Sequence, residues 1–137
     1  MNPTGNKARI LIVEDHPLIA ELVETRLRLE GMQPVRCPGG REAIDILGKD
    51  TFDLVVLDIM MPEVDGYEVL RHIRTESVSP ELPVIFLSAK SSPADVEKGF
   101  ALGANHYITK PFSGHDLVRK IRLCLDESST VAERPVG

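Results

Sequence analysis

Three acidic residues follow two apolar segments that have the length of buried strands. Glu14 and Asp15 end the segment that begins at Ile10. Asp58 ends the segment that begins at Leu54. In an open α/β sheet, ligands bind at the carboxyl ends of the strands, so these acids would meet at one edge. Gathered carboxylates repel one another unless a cation joins them, and divalent metals favour carboxylate oxygens. The pattern therefore predicts a divalent metal site and chemistry at a phosphate.

Ser88 and Lys110 stand at the ends of two further strand-like segments, which places them at the same predicted edge. The lysine offers a movable positive charge for a phosphate or a carboxylate. The serine hydroxyl can donate a hydrogen bond to a phosphoryl oxygen. A carboxylate that is ionised at neutral pH needs no general base to act as a nucleophile. Phosphoryl transfer onto Asp58 would therefore require mainly positioning and charge neutralisation, which the metal and Lys110 would provide.

Strand-like and helix-like segments alternate from residue 9 to about residue 126, a pattern typical of a mainly parallel sheet with helical crossovers. Pro34 weakens the second strand and predicts that it lies at an edge. Asp65-Gly66 is interpreted as a turn. We predict strands at about 9–13, 33–37, 53–57, 83–87 and 106–109, and helices at about 17–31, 42–48, 67–75, 93–102 and 113–126.

The composition indicates one globular domain with an acidic surface. The 137 residues are 42% hydrophobic and 27% charged, and the net charge is -5. This charge argues against a direct nucleic-acid or anionic-membrane binder. We expect the domain to occupy residues 9–126, with a flexible segment at 1–8 and a flexible tail or the start of a linker at 127–137.

The apolar segments and the cysteines indicate a cytoplasmic chain. The longest apolar segments are well short of the ~20 residues that span a bilayer, so no membrane insertion is expected. The polar residues 1–7 lack the apolar core of a signal peptide. Cys37 and Cys124 form no CxxC or zinc pattern, and we expect both to be small buried side chains of a reducing compartment.

Four motifs surround the polar residues of the predicted site: Val13-Glu14-Asp15-His16-Pro17, Asp58-Ile59-Met60-Met61-Pro62 with Asp65-Gly66, Leu87-Ser88-Ala89-Lys90 and Tyr107-Ile108-Thr109-Lys110-Pro111-Phe112. Together they resemble the motifs of the receiver domains of two-component response regulators, the CheY-like superfamily. Each motif is weak alone, but the ordered set is highly specific. The resemblance implies a flavodoxin-like, doubly wound (βα)5 fold in the α/β class, with a parallel five-stranded sheet of order 2-1-3-4-5.

The resemblance implies a role for each residue of the predicted site. Asp58 would accept a phosphoryl group from the phosphohistidine of a sensor histidine kinase or a histidine phosphotransfer protein. Asp15 and Asp58 would bind Mg²⁺ directly, or Mn²⁺ in its place, and Glu14 would bind it through water. The backbone carbonyl of Met60 would complete the protein ligands. Lys110 would pair with Asp58 before the reaction and with the phosphoryl group after it.

The resemblance also implies a switch. Ser88 would move toward the phosphate, and Tyr107 would turn inward behind it. The face formed by the fourth helix, fifth strand and fifth helix would then control a downstream protein or an output domain, with a homodimer as an alternative. The kinase would dock near the first helix and the loop after Lys110. The bond between Lys110 and Pro111 would be cis.

Beyond its own phosphotransfer and autodephosphorylation, the chain is not expected to be an enzyme. Self-hydrolysis is expected to be slow, because the apolar side chain of Met60 cannot orient a water. A phosphatase with an aspartyl-phosphate intermediate would usually need an acid at that position and a cap domain. A scaffold that is independent of phosphorylation would predict a broken acidic pocket, whereas all five polar residues of the site are present. Ser88 could also cap a turn, and Tyr107 could be a packing residue.

Overall fold

A computed structural model of the chain describes residues 7–130, in which five strands alternate with five helices. The strands form one parallel sheet of order β2-β1-β3-β4-β5, which confirms the predicted fold class and strand order. The elements are β1 (Arg9–Val13), α1 (Pro17–Leu29), β2 (Gln33–Cys37), α2 (Gly40–Leu47), β3 (Leu54–Leu57), α3 (Gly66–Glu76), β4 (Val84–Ser88), α4 (Pro93–Ala101), β5 (His106–Thr109) and α5 (Gly114–Thr130).

The hydrophobic core lies in two layers, one on each face of the sheet. Leu11 and Val55 face one layer, whereas their chain neighbours Ile10 and Leu54 face the other. This alternation follows from the two-residue period of a strand. All four residues of β3 are buried, as predicted for a strand covered on both faces. Helices α2 and α3 contribute buried side chains to the first layer, and α1 and α5 contribute them to the second.

The register of the sheet brings the polar strand ends together. Val13 on β1 is paired with Leu57 on β3, and the N–H of Asp58 donates to the carbonyl of Val13 at 2.9 Å. At the same edge of the sheet, the N–H of Lys110 after β5 donates to the carbonyl of Ser88 on β4 at 2.8 Å. Asp58 after β3 and Lys110 after β5 are therefore each fixed by a backbone bond to a neighbouring strand.

Most predicted element boundaries agree with the structure, and Pro34 does lie in an edge strand. The interpretation of Asp65 as part of a turn was incomplete, because its carboxylate caps α3 by accepting from the N–H of Glu68 at 3.0 Å. The spacing from Asp65 to Glu68 matches a capping box and could have predicted this cap.

The last helix is longer than predicted. Helix α5 ends at Thr130, so the predicted domain boundary at residue 126 lies inside it and residues 127–130 are helical. The remainder of the predicted tail, residues 131–137, and residues 1–6 of the N-terminal segment lie outside the described residues.

Two further expectations concern the cysteines and the membrane. Cys37 and Cys124 are both buried, as predicted. Across residues 7–130, none of the helices combines the length and the hydropathy that a bilayer crossing demands.

Candidate metal and phosphate site

The structure brings the three predicted carboxylates together at the carboxyl edge of β1 and β3. Glu14, Asp15 and Asp58 each offer an oxygen, and these oxygens all lie within 4.8 Å of one another. Glu14 and Asp58 are only 5% exposed, whereas Asp15 is exposed to solvent. Two of the three acids are thus held out of water, where an uncompensated negative charge is costly.

Lys110 supplies a positive charge to this cluster. Its Nζ lies 2.7 Å from Oε1 of Glu14 and 3.5 Å from Oδ2 of Asp58. Before any reaction, the ammonium group is therefore closer to Glu14 than to Asp58, the partner expected from the resemblance. One ammonium against three carboxylates leaves two negative charges unbalanced.

The charge and the donor type of the cluster fit a divalent cation. Mg²⁺ prefers hard oxygen ligands and is commonly held by one or two carboxylates, with the remaining positions open to water or phosphate. A charge of +2 would balance the two unbalanced negative charges. The residues present therefore fit the predicted magnesium.

Burial and the neighbouring carboxylates perturb the ionisation of Asp58. Burial raises the pKa of Asp58 to about 6, and the negative charge of Glu14 acts in the same direction. The Lys110 charge and a hydrogen bond from the N–H of Met60 to Oδ1 of Asp58, 3.3 Å long, lower this pKa but do not offset the rise. Without a cation, Asp58 therefore favours protonation at a pH where an ordinary aspartate is ionised.

Ser88 and Tyr107 are connected through the backbone of Lys90. The Ser88 hydroxyl is fully buried, and its oxygen accepts from the N–H of Lys90 at 3.2 Å. The Tyr107 ring lies inward, 8% exposed, and its hydroxyl donates to the carbonyl of Lys90 at 2.7 Å. A displacement of Ser88 would therefore act on the segment that also holds Tyr107.

Two further predictions concern the loops that flank the site. The peptide bond between Lys110 and Pro111 is cis, as predicted. The side chain of Met60 is 57% exposed, and its backbone follows Asp58 closely enough for the hydrogen bond described above. The position two residues after Asp58 therefore carries an exposed apolar side chain and no acid.

Comparison with known proteins identifies the family. The model of the response regulator receiver domain matches residues 10–122. The chain belongs to the response regulator receiver domain family. The transcriptional regulatory protein TrcR of Mycobacterium tuberculosis is 42% identical over 131 residues, which cover 96% of this chain and 50% of that protein. The chain spans about half the length of the curated relatives it matches.

Solved receiver domains share the fold. The receiver domain of the Francisella response regulator 1452 has a TM-score of 0.84 and 29% identity, covering 89% of this chain and 99% of that one. The receiver domain of the sensor histidine kinase PA1611 from Pseudomonas aeruginosa has a TM-score of 0.81 and 29% identity, covering 88% and 98%. That structure is described with a magnesium ion coordinated in its active-site cleft. The present chain is thus a signalling domain of two-component systems rather than a conventional enzyme.

The aromatic contacts behind Tyr107 of this receiver domain were not predicted from the sequence. The Phe86 ring meets Tyr107 edge-on at 5.9 Å and Tyr67 at 5.8 Å between ring centroids. Tyr67 was placed in the third helix but not on its buried face. Its three-residue spacing from Leu70, and that of Leu70 from Ile73, was the available signal.

The raised pKa of Asp58 predicts how the stability of the metal-free receiver domain depends on pH. An aspartate in an unfolded chain has a pKa near 3.9, so between about pH 4 and pH 6 the folded chain holds a proton that the unfolded chain has lost. The contribution of Asp58 to stability is thus present below pH 4 and is lost as the pH rises through 6. At pH 7.5 without divalent metal, we expect Asp58→Asn to raise the free energy of unfolding by about 1 to 2 kcal/mol. Urea denaturation measures this change.

The matched control for this measurement is Asp45→Asn, which makes the same replacement of a carboxylate by an amide at an exposed position of α2. We expect it to change stability by less than about 0.5 kcal/mol. An Asp58→Asn protein that is less stable than the parent at pH 7.5 would contradict the raised pKa.

Proposed function

We propose that this receiver domain accepts a phosphoryl group on Asp58 from the phosphohistidine of a sensor histidine kinase or a histidine phosphotransfer protein. The observation that carries the proposal is the buried carboxylate of Asp58, which lies 3.5 Å from the ammonium group of Lys110 and within 4.8 Å of two further acids. A nucleophile, a cation for phosphoryl oxygens and a cluster suited to a divalent metal thus occupy one edge of the sheet. These three groups are the ones that the proposed phosphoryl transfer requires.

The proposed metal ligands are Asp15, Asp58 and the backbone carbonyl of Met60, with Glu14 acting through water. Mg²⁺ is the proposed ion, and Mn²⁺ could replace it because it also prefers oxygen ligands. When bound, the ion would offset the charges of the carboxylates and of the incoming phosphoryl oxygens.

In the proposed reaction, a carboxylate oxygen of Asp58 attacks the phosphorus of the phosphohistidine. An O–P bond forms as the N–P bond breaks, and the imidazole nitrogen keeps the electron pair and takes a proton from water. Lys110 then exchanges its carboxylate contacts for a phosphoryl oxygen. The buried hydroxyl of Ser88, whose oxygen already accepts a hydrogen bond, has its proton available for another phosphoryl oxygen.

The proposed output is a shift between two states of the surface formed by α4, β5 and α5, which we name the output face. Ser88 and Tyr107 would act as the switch pair, since both are hydrogen-bonded to Lys90 at the start of the segment that leads to α4. Phosphorylation would bias a pre-existing equilibrium rather than build a new surface. The proposed partner of this face is a downstream protein, a second copy of the chain, or an output domain after α5. An output domain is included because the chain spans about half the length of its curated relatives.

The proposed lifetime of the phosphorylated state is long. Autodephosphorylation requires a water aligned with the phosphorus, and the exposed thioether of Met60 offers no strong hydrogen-bond acceptor to orient it.

The proposed donor reaction depends on a kinase that uses ATP, so the proposed location of the chain is the cytoplasm.

A groove beside the site offers a surface for the phosphodonor. It has a volume of about 630 Å³ and includes Lys110 in its wall, so a protein seated there would lie next to Asp58. Leu22 of α1 lines the groove and is 65% exposed, so a docked partner could bury its apolar side chain. We propose that a helical segment of the donor docks here. The groove is lined by Ile19, Leu22, Arg26, Lys110, Pro111, Phe112 and Gly114.

Intact-mass measurement tests the proposed phosphorylation. With Mg²⁺ and acetyl phosphate, we expect the protein to gain one phosphoryl group, because the small donor needs only the assembled site. Asp58→Asn should abolish the gain, since an amide is a poor nucleophile, and a chelator should suppress it in the unsubstituted protein. The exposed α2 variant Asp45→Asn should gain the group as the parent does. If neither acetyl phosphate nor phosphoramidate modifies the parent, the scaffold hypothesis is favoured instead.

Substitution in the groove tests the proposed docking surface. We expect Leu22→Asp to slow phosphoryl transfer from a phosphorylated histidine kinase by at least about tenfold, because it puts a charge into an apolar contact. The same variant should react with acetyl phosphate at the parental rate. The measurement is the initial rate of phosphoprotein formation with each donor.

The control is Leu29→Asp, on the same helix but 79% exposed and outside the groove. It should leave both rates unchanged. If Leu22→Asp left transfer from the kinase intact, or slowed both donors equally, the groove would not be the docking surface.

A further inference from the structure

Helix α4 meets the core through a residue without a side chain. Gly99 is the buried residue of this nine-residue helix. A Cβ atom built on Gly99 would lie 2.9 Å from Cδ2 and 3.0 Å from Cε2 of Tyr107, and 3.1 Å from Cδ2 of Phe86. Carbon atoms in contact are normally separated by about 3.5 to 4.0 Å. Helix α4 can therefore pack this closely against the two rings only if residue 99 is a glycine, which has no Cβ atom.

Of the two rings, Tyr107 is the one that can give way. Phe86 is fully buried and is held between Tyr67 and Tyr107 by edge-on ring contacts. Tyr107 has a ring contact with Phe86 but none with Tyr67, and its hydroxyl donates to the carbonyl of Lys90 in the loop before α4. A side chain at position 99 would thus force the Tyr107 ring outward or lift α4 from the sheet.

The two ends of α4 are held with very different strength. Beyond the carboxyl end of the helix, Arg74 of α3 donates from Nη2 to the carbonyl of Gly103 at 2.8 Å and to Oδ1 of Asn105 at 3.1 Å. It also donates from Nε to the Gly103 carbonyl at 3.1 Å. The amino end of the helix has a partly exposed ion pair between Lys90 and Asp95, 3.8 Å long, of a kind that contributes little.

We propose that Gly99 is a positioning residue of the switch, because the ring of Tyr107 can lie inward only beneath a residue without Cβ. The inward ring then sets the position of α4, which tilts about the end that Arg74 holds. A glycine inside a helix is unfavourable relative to alanine, so α4 carries a residue that weakens it. The contact with Tyr107 explains why that residue is tolerated. The inference rests on the proposed function for the event that moves the ring, and it deepens the regulation of that site.

The composition of the chain allows the ring to be followed directly. The sequence holds two tyrosines and no tryptophan. The hydroxyl of Tyr67 is buried and finds no hydrogen-bond partner within the described part of the chain, so Tyr67→Phe should be tolerated. In that background Tyr107 is the sole tyrosine, and quenching of its fluorescence by acrylamide reports whether the ring is inward.

In the Tyr67→Phe protein without phosphate donor, we expect Gly99→Ala to raise the quenching constant severalfold. The matched control is Gly48→Ala at the end of α2, where a Cβ would meet only carbonyl oxygens at 3.5 and 3.7 Å. It should leave the quenching unchanged. Equal quenching in the Gly99→Ala protein and its parent would overturn the proposal.

Acetyl phosphate with Mg²⁺ separates this inference from the proposed function. We expect the Gly99→Ala protein to gain the phosphoryl mass while its quenching stays high, because the ring still cannot enter. If phosphorylation restored low quenching in this variant, Gly99 would not be required and the inference would fail. If the Tyr67→Phe parent gained no mass, the proposed function would fail, whereas the donor-free comparison would still decide the role of Gly99.

A second variant covers the case in which Gly99→Ala does not fold. With Tyr107→Ala in place, Phe86 can move into the vacated space, and Gly99→Ala should then raise the melting temperature or leave it unchanged. With Tyr107 present, the same substitution should lower it by several degrees. An equal loss in both backgrounds would show that the contact with Tyr107 is not what requires glycine.

Discussion

Three carboxylates and one ammonium group share the carboxyl edge of the sheet, and this unbalanced charge governs the rest of the site. The parallel register of β1 and β3 fixes Glu14 and Asp58 next to each other, and the core beneath leaves both nearly buried. Burial and mutual repulsion raise the pKa of Asp58, which disfavours its ionised form in the absence of a cation. A divalent cation is the partner that such a cluster can accommodate, and a bound cation would offset the charge of the proposed phosphoryl group.

A short series of contacts connects the acidic cluster at this edge of the sheet to helix α4. Ser88 and Tyr107 are both bonded to the backbone of Lys90, and the inward ring of Tyr107 lies directly under Gly99 of α4. A change at the proposed phosphate would therefore reach the output face without deforming the sheet. The strands stay fixed by their backbone ladder. Helix α4 is tied to α3 by Lys98, which lies over the ring of Tyr67, and by Arg74, which binds the loop beyond its carboxyl end.

The sequence was sufficient to predict the strands, because short apolar segments bounded by polar residues are typical of buried strands. It was also sufficient to predict that Glu14, Asp15 and Asp58 lie together, because parallel strands end at the same edge of a sheet. The family motifs supplied the strand order. The contact between Gly99 and Tyr107 could not be predicted, because it depends on how α4 crosses β5. The closer pairing of Lys110 with Glu14 depends likewise on side-chain geometry at short range. The extension of α5 to Thr130 was missed because polar residues beyond the last apolar position leave no periodic signal.

Calorimetric titration with Mg²⁺ at pH 7.5 tests the unbalanced charge most directly. If the cluster carries excess negative charge that Lys110 partly offsets, Lys110→Ala should bind Mg²⁺ severalfold more tightly than the parent, and Asp58→Asn should bind it more weakly. Lys120→Ala, which removes a lysine paired with Asp116 on α5, should bind as the parent does. Unchanged affinity in both Lys110→Ala and Asp58→Asn would contradict the account, since the three carboxylates would then not form the metal site.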